Sequence, residues 1–141
     1  MFRVISIFLT LTFTAAVIAC PNLSGKYGRC GSKKHASFKI KQEKVDGTTT
    51  YHSELTDGTF SGYTITMIAD GVKRDAGVEG VSISYRCEKD ALIKTTETKI
   101  ENSSKTYISI TKKTINGLET TDHEKGSEKI LNKVTCRELK D

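Results

Sequence analysis

The residues best suited to hold a metal or move a proton are the three histidines, His35, His52 and His123. None lies in a His-x-His, Glu-x-x-His or Cys-x-x-Cys spacing, so the chain offers no local metal or acid–base motif. Asp70, Asp75, Glu79, Glu88 and Asp90 are close enough in sequence to suggest calcium. They lack the Asp-x-Asp-x-Asp-Gly order, closed by a Glu, that surrounds one hard cation with oxygens. No Gly-x-Ser-x-Gly elbow is present to raise a serine nucleophile. The expectation is a non-enzymatic protein with no metal and no cofactor. The carboxylates read as solvated turn residues, and the many threonines as exposed strand faces, where Thr is favoured.

The cations are more informative. The formal net charge is +5, from 22 Lys and Arg against 17 Asp and Glu. Lys33, Lys34, His35, Lys39, Lys41 and Lys44 gather around one hairpin. Lys112, Lys113, Lys125, Lys129 and Lys133 crowd the C-terminal third. If the first and last strands are neighbours, some of these form one face, suited to anionic lipid, lipopolysaccharide or polysaccharide. Outward lysines also guard strand edges against aggregation. Nucleic acid is not expected, because stacking aromatics are not interleaved with the cations.

The beginning of the chain fixes the compartment. Arg3 precedes the apolar run 4–13, and Ala15, Ala16 and Ala19 give a small-residue end. That is the layout of a secretory signal peptide, here 1–19, followed by one domain over 20–141. Its apolar run falls short of the about 20 residues a membrane span needs, so no transmembrane segment is expected after cleavage. Val17-Ile18-Ala19-Cys20 also resembles a relaxed bacterial lipobox, which would make Cys20 the lipidated N-terminus of an outer-membrane lipoprotein. Four cysteines, Cys20, Cys30, Cys87 and Cys136, all follow the signal. An even number in an oxidising compartment suggests two disulfides and favours a soluble periplasmic or secreted protein.

Past Leu23 there is no proline and no sustained helical periodicity. Short Thr-, Ile- and Tyr-bearing runs alternate with turn signals. Asp46-Gly47, Asp57-Gly58, Asp70-Gly71 and Asn116-Gly117 read as tight hairpin turns. Glu88-Lys89-Asp90 and 101–104 read as looser ones. Strands are expected over 23–30, 35–45, 48–56, 59–69, 72–75, 81–87, 91–100, 105–115, 118–124 and 129–139. Alternation puts Val81, Ile83, Tyr85 and Cys87 on one face, Phe38 and Ile40 on one face, and Tyr63, Ile65 and Met67 on another. The fold class is therefore all-β: an antiparallel up-and-down meander of 8–10 strands closing into a barrel with two disulfides. In such a barrel the first and last strands pair, which suggests Cys20–Cys136 with Cys30–Cys87. The rival is Cys20–Cys30 with Cys87–Cys136, and sequence alone does not decide among the three possible connectivities.

Leu23-Ser24-Gly25-Lys26-Tyr27 resembles the first strand of calycin-type barrels: lipocalins, fatty-acid-binding proteins and avidins. Tyr27 stands where those have Trp, and this chain has no Trp. The stretch Cys20 to Cys30 also resembles small exported lipocalin-like proteins of Gram-negative bacteria. Nothing helical follows Cys30, unlike in fatty-acid-binding proteins, so the resemblance implies a barrel and transfers no ligand. The first functional expectation is a binding module whose barrel holds a small apolar or amphipathic ligand. The residues that would line it are Tyr27, Phe38, Ile40, Tyr63, Ile65, Ile83, Tyr85 and Ile108. Tyr27-x-x-Cys30 and Ser61-Gly62-Tyr63 are similar, at altered spacing, to elements of periplasmic inhibitors of C-type lysozyme. The alternative function is an envelope interaction protein with a solid barrel, binding a protein or an anionic glycan through its surface.

Overall fold

A computed structural model describes residues 19–31 and 33–140, with the side chains of 33–35 excluded. The expected signal peptide, except Ala19, lies outside the described residues, as do the Lys33, Lys34 and His35 side chains.

All regular structure among the described residues is β. Ten strands follow in order: β1 (Gly25–Cys30), β2 (Lys33–Val45), β3 (Thr48–Leu55), β4 (Thr64–Ile68), β5 (Arg74–Asp75), β6 (Val81–Glu88), β7 (Ala91–Ile100), β8 (Ser103–Thr114), β9 (Gly117–Glu124) and β10 (Ile130–Glu138). They form one antiparallel sheet in the order β4-β3-β2-β1-β10-β9-β8-β7-β6-β5. The meander thus runs around a curl, with β1 beside β10, and produces a half-barrel. The ladder does not run the whole way round. β4 and β5 occupy opposite edges, and residues 69–73 carry the chain across the gap. There the Gly71 N–H donates to the Tyr85 carbonyl at 2.7 Å.

Each expected strand run contains a strand, but the turns distribute differently. Asp46-Gly47 is a tight hairpin loop, both residues having positive φ. Lys89-Asp90 and Glu101-Asn102, read as looser, are also two-residue loops, entered by a residue in the left-handed region. Asp70-Gly71 is no hairpin turn; it makes the seam crossing. The β8–β9 loop is Ile115-Asn116, one residue earlier than expected, since Thr114 pairs with Gly117. Residues 59–63 are turns, because Gly62 N–H and Tyr63 C=O bond back to Leu55 before β4 begins.

The disulfide pairing expected above is overturned. The bridges are Cys20–Cys87 and Cys30–Cys136, with Cα atoms 5.1 and 4.1 Å apart. The register explains it. Tyr27 pairs with Glu138 and Gly28 with Arg137, so the end of β1 and not its lead-in lies beside Cys136. Cys20 sits well ahead of β1, where it meets the end of β6.

That lead-in fills the lower end of the barrel. Leu23 is wholly buried among Tyr27, Ile40, Tyr51, Tyr85, Leu92, Leu118 and Cys136. Burying irregular backbone requires partners for its carbonyls. Tyr51 Oη donates to Pro21 O at 2.7 Å, Tyr27 Oη to Leu23 O at 2.9 Å, and Lys113 Nζ to Ser24 O at 3.2 Å.

Two outcomes follow from the seams. Replacing both Cys30 and Cys136 with Ala should lower stability by about 4 kcal/mol, given the long loop this bridge closes. Urea unfolding of variant and parent checks this; an unchanged midpoint would show that the β1–β10 ladder needs no staple. Gly117→Ala should cost about 2 kcal/mol or more in the same assay. Its Cβ would collide with the Cys136 carbonyl, and its φ of 139° is strained for any other residue.

Candidate functional site

The structure separates the candidate ligand-lining residues. Tyr27, Ile40 and Tyr85 are core, and Phe38 and Ile83 pack against it. Tyr63 and Ile65 do not line an enclosed interior: they are 61% and 45% exposed, at the edge of the half-barrel. Ile108 is on the opposite face of the sheet. It pairs with Thr95 and His123, whereas Tyr85 pairs with Lys94, one residue out of phase. On the inner face beyond the core the register sets Tyr85, Lys94, Ser109, Asp122 and Asn132 in one row. Asn132 Nδ2 donates to Asp122 Oδ2 at 3.1 Å. The core end is filled by side chains, and the remaining inner face mixes these polar residues with Ile83, Tyr107 and Ile65.

The acid–base candidates have local partners. His52 lies between Glu43, at 2.7 Å, and Thr66, at 3.2 Å, on β3. His123 is on β9 against Ile108 and Ile130. Among the described residues no three His, Cys, Asp or Glu side chains gather to hold a metal. Asp70 takes both Arg74 guanidinium nitrogens, at 2.9 and 2.6 Å, and the Val72 N–H. These bonds hold its carboxyl down at about 2. Asp75 accepts from Gly77 N–H, Glu88 pairs with Arg86, and Asp90 with Lys112. Ser37 donates to Asp57 at 2.9 Å and shares a 2.7 Å bond with Thr56, tying the β3–β4 loop to β2.

The β1–β10 adjacency on which a continuous basic face depends is present, though its membership differs from the sequence clusters. On the outer surface Lys26, Lys39, Arg137 and Lys140 line one open groove of about 1160 Å³ with Ile115, Asn116 and Leu139. All four cations are exposed. Lys26 stands directly opposite Lys39 in the β1–β2 register. Like charges so placed cost about 0.5 kcal/mol. The carboxylate at this seam, Glu138, is taken by Lys113 at 2.9 Å. Lys113 itself lies over the Tyr27 ring, 5.9 Å from its centroid, and so serves the plug. Its ammonium pKa is raised, first by that Glu138 bond. Lys112 and Lys133 are paired with Asp90 and Glu119. Of the sequence clusters, therefore, Lys39 joins the groove. Lys26, Arg137 and Lys140 are the members the clusters missed.

Comparisons with protein-family models, curated proteins and solved structures return no match.

The tyrosines that grip the plug predict alkaline behaviour. Burial pushes the Tyr51 hydroxyl from its ordinary 10.0 up to about 12 and raises those of Tyr27 and Tyr85. A folded value above the unfolded one means that the stabilisation is complete below pH 10 and fades as pH rises through about 12. Tyr51→Phe should cost about 1 kcal/mol at neutral pH by losing the Pro21 bond. It should also flatten the alkaline loss. Urea midpoints measured from neutral to strongly alkaline pH check both; equal alkaline slopes for parent and variant would refute the assignment.

Proposed function

We propose that this chain is an exported, non-enzymatic binding protein that engages a polyanionic partner in the cell envelope through its outer surface. The observation that carries this reading is the groove of Lys26, Lys39, Arg137 and Lys140, whose lining carboxylate, Glu138, is paired with Lys113. Cross-strand repulsion between Lys26 and Lys39 has no packing return, since both side chains are exposed, and Glu54, opposite Lys39 on β3, offsets it only from the far side. A residue pair that breaks a local rule without structural gain points to function. Glu54 stands opposite Lys39 on β3 without forming an ion pair with it, and four cations clustered on one face attract anions at a distance and accelerate encounter.

The buried lead-in weighs against a lipocalin-type carrier of apolar ligands. Leu23 and Tyr51 occupy the space such a ligand would take, and the inner face beyond them carries Lys94, Ser109, Asp122 and Asn132 among its residues. Export is supported by the two disulfides, which belong to an oxidising compartment. The Cys20–Cys87 bridge also supports soluble export over a lipoprotein, since a sulfur in a disulfide cannot carry a thioether lipid.

Polygalacturonate serves as a soluble polyanion probe. The protein should bind it with an affinity that falls steeply as salt rises. Lys26→Glu should weaken that binding while stabilising the fold by about 0.5 kcal/mol, because the new carboxylate faces Lys39. Calorimetric titration and urea unfolding read the two effects. Undiminished binding by the Lys26→Glu and Arg137→Glu variants would sink the proposal.

A further inference from the structure

We infer that the basic groove docks on an anionic bilayer surface, with the β8–β9 hairpin tip inserting Ile115 below the headgroups. This deepens the proposed function and rests on it. Ile115 is 98% exposed, the most exposed of the large apolar residues. It belongs to a two-residue hairpin loop, where Asn, Asp and Gly are the usual occupants. A β-branched residue gains nothing there from the fold: its side chain touches almost no protein. Exposed apolar residues are common one at a time, so exposure alone says little. The setting is what distinguishes this one. Ile115 lies on the groove that also holds Lys26, Lys39, Arg137 and Lys140, with Leu139 beside them.

That combination matches the two terms by which proteins lie on membranes. Apolar side chains sink to the acyl boundary, while basic ones remain among anionic headgroups. A soluble polysaccharide would use the cations and leave Ile115 without a role. A bilayer uses both. The geometry is compatible with rigid docking. The insertion residue sits on a tight turn between the long strands β8 and β9. Next to that turn, Gly117 lies against Cys136, whose bridge to Cys30 ties the seam.

The test is co-sedimentation with vesicles of equal parts phosphatidylglycerol and phosphatidylcholine, alongside vesicles of phosphatidylcholine alone. The full mature chain should bind the anionic vesicles and not the neutral ones. Removing one cation, as in Lys39→Gln, should weaken binding about fivefold. Ile115→Ser should weaken it about tenfold. The same variant should keep its polygalacturonate binding and its urea midpoint, since it changes no charge and nothing packs on Ile115. Equal vesicle binding by parent and Ile115→Ser would overturn insertion. Polygalacturonate binding without vesicle binding would overturn the bilayer as partner and leave the basic groove standing as the site. Binding to neither probe would remove both readings.

Discussion

The fold depends on closing a ten-strand meander at two places where hydrogen bonding is sparse. Most neighbouring strands share long ladders: β7 and β8 pair along ten residues, β2 and β3 along eight. β1 and β10 are matched at two, and the β4–β5 gap is crossed with a hydrogen bond from Gly71 to Tyr85. The β1–β10 contact joins the two ends of the meander, so it must overcome the loop-closure entropy of nearly the whole domain. Each weak place carries one disulfide. Cys30–Cys136 ties β1 to β10, and Cys20–Cys87 anchors the lead-in to β6 near the gap. A bridge gives most where it closes a long loop, and these close separations of 106 and 67 residues.

The second staple has a further effect. By fixing Cys20 at the end of β6, it leaves Pro21 to Ser24 to run back through the interior to β1. Leu23 then becomes core, and Tyr27, Tyr51 and Lys113 become the hydrogen-bond donors that make buried backbone tolerable. The cysteine framework and the filled interior are therefore one feature. A barrel plugged by its own N-terminal segment has little room for a ligand at that end, which moves attention to the outer surface. The same arrangement sorts the charges. Glu138, which also lines the groove, is paired with Lys113, so the four cations there are left without it as a partner.

The strands were legible because alternation is a local property, and one face of each run had to be apolar. The faces of Tyr85 and Ile40 follow from it. What was not legible depends on register. Ile108 looks like any alternating apolar residue, and only its pairing with Thr95 and His123 sets it outside. Lys26 and Lys39 were separated by the same difficulty. Cys30 pairs with Lys33, but by Gly28 the partner has shifted to Ser37. This bulge, at which Arg29 takes a φ of 53°, moves the register by two residues and brings the lysines face to face. A plain hairpin would have opposed Lys26 to Ser37. The disulfide pairing failed for a related reason: strand order alone said that β1 meets β10, and the choice between Cys20 and Cys30 needed the register.

The positive charge gathered where β1 meets β10 bears on the staple at that seam. Repulsion between directly opposed cations is tolerable within a sheet when other bonds fix the register, and harmful where the ladder is thin. The Lys26–Lys39 pair lies across the β1–β2 ladder, which is matched at five residues, whereas Arg137 adds its cation across the short β1–β10 ladder, where it pairs with Gly28. Without Cys30–Cys136, separating β1 from β10 would carry Arg137 away from Lys26 and release Leu139 from Lys26 O, which its N–H meets at 2.8 Å. With the bridge in place, strand separation is limited to fraying about a fixed point. The covalent tie thus lets the seam carry a concentration of positive charge that its hydrogen bonds alone would resist. The cations stand at that seam, and the disulfide that permits them is the one joining the first strand to the last.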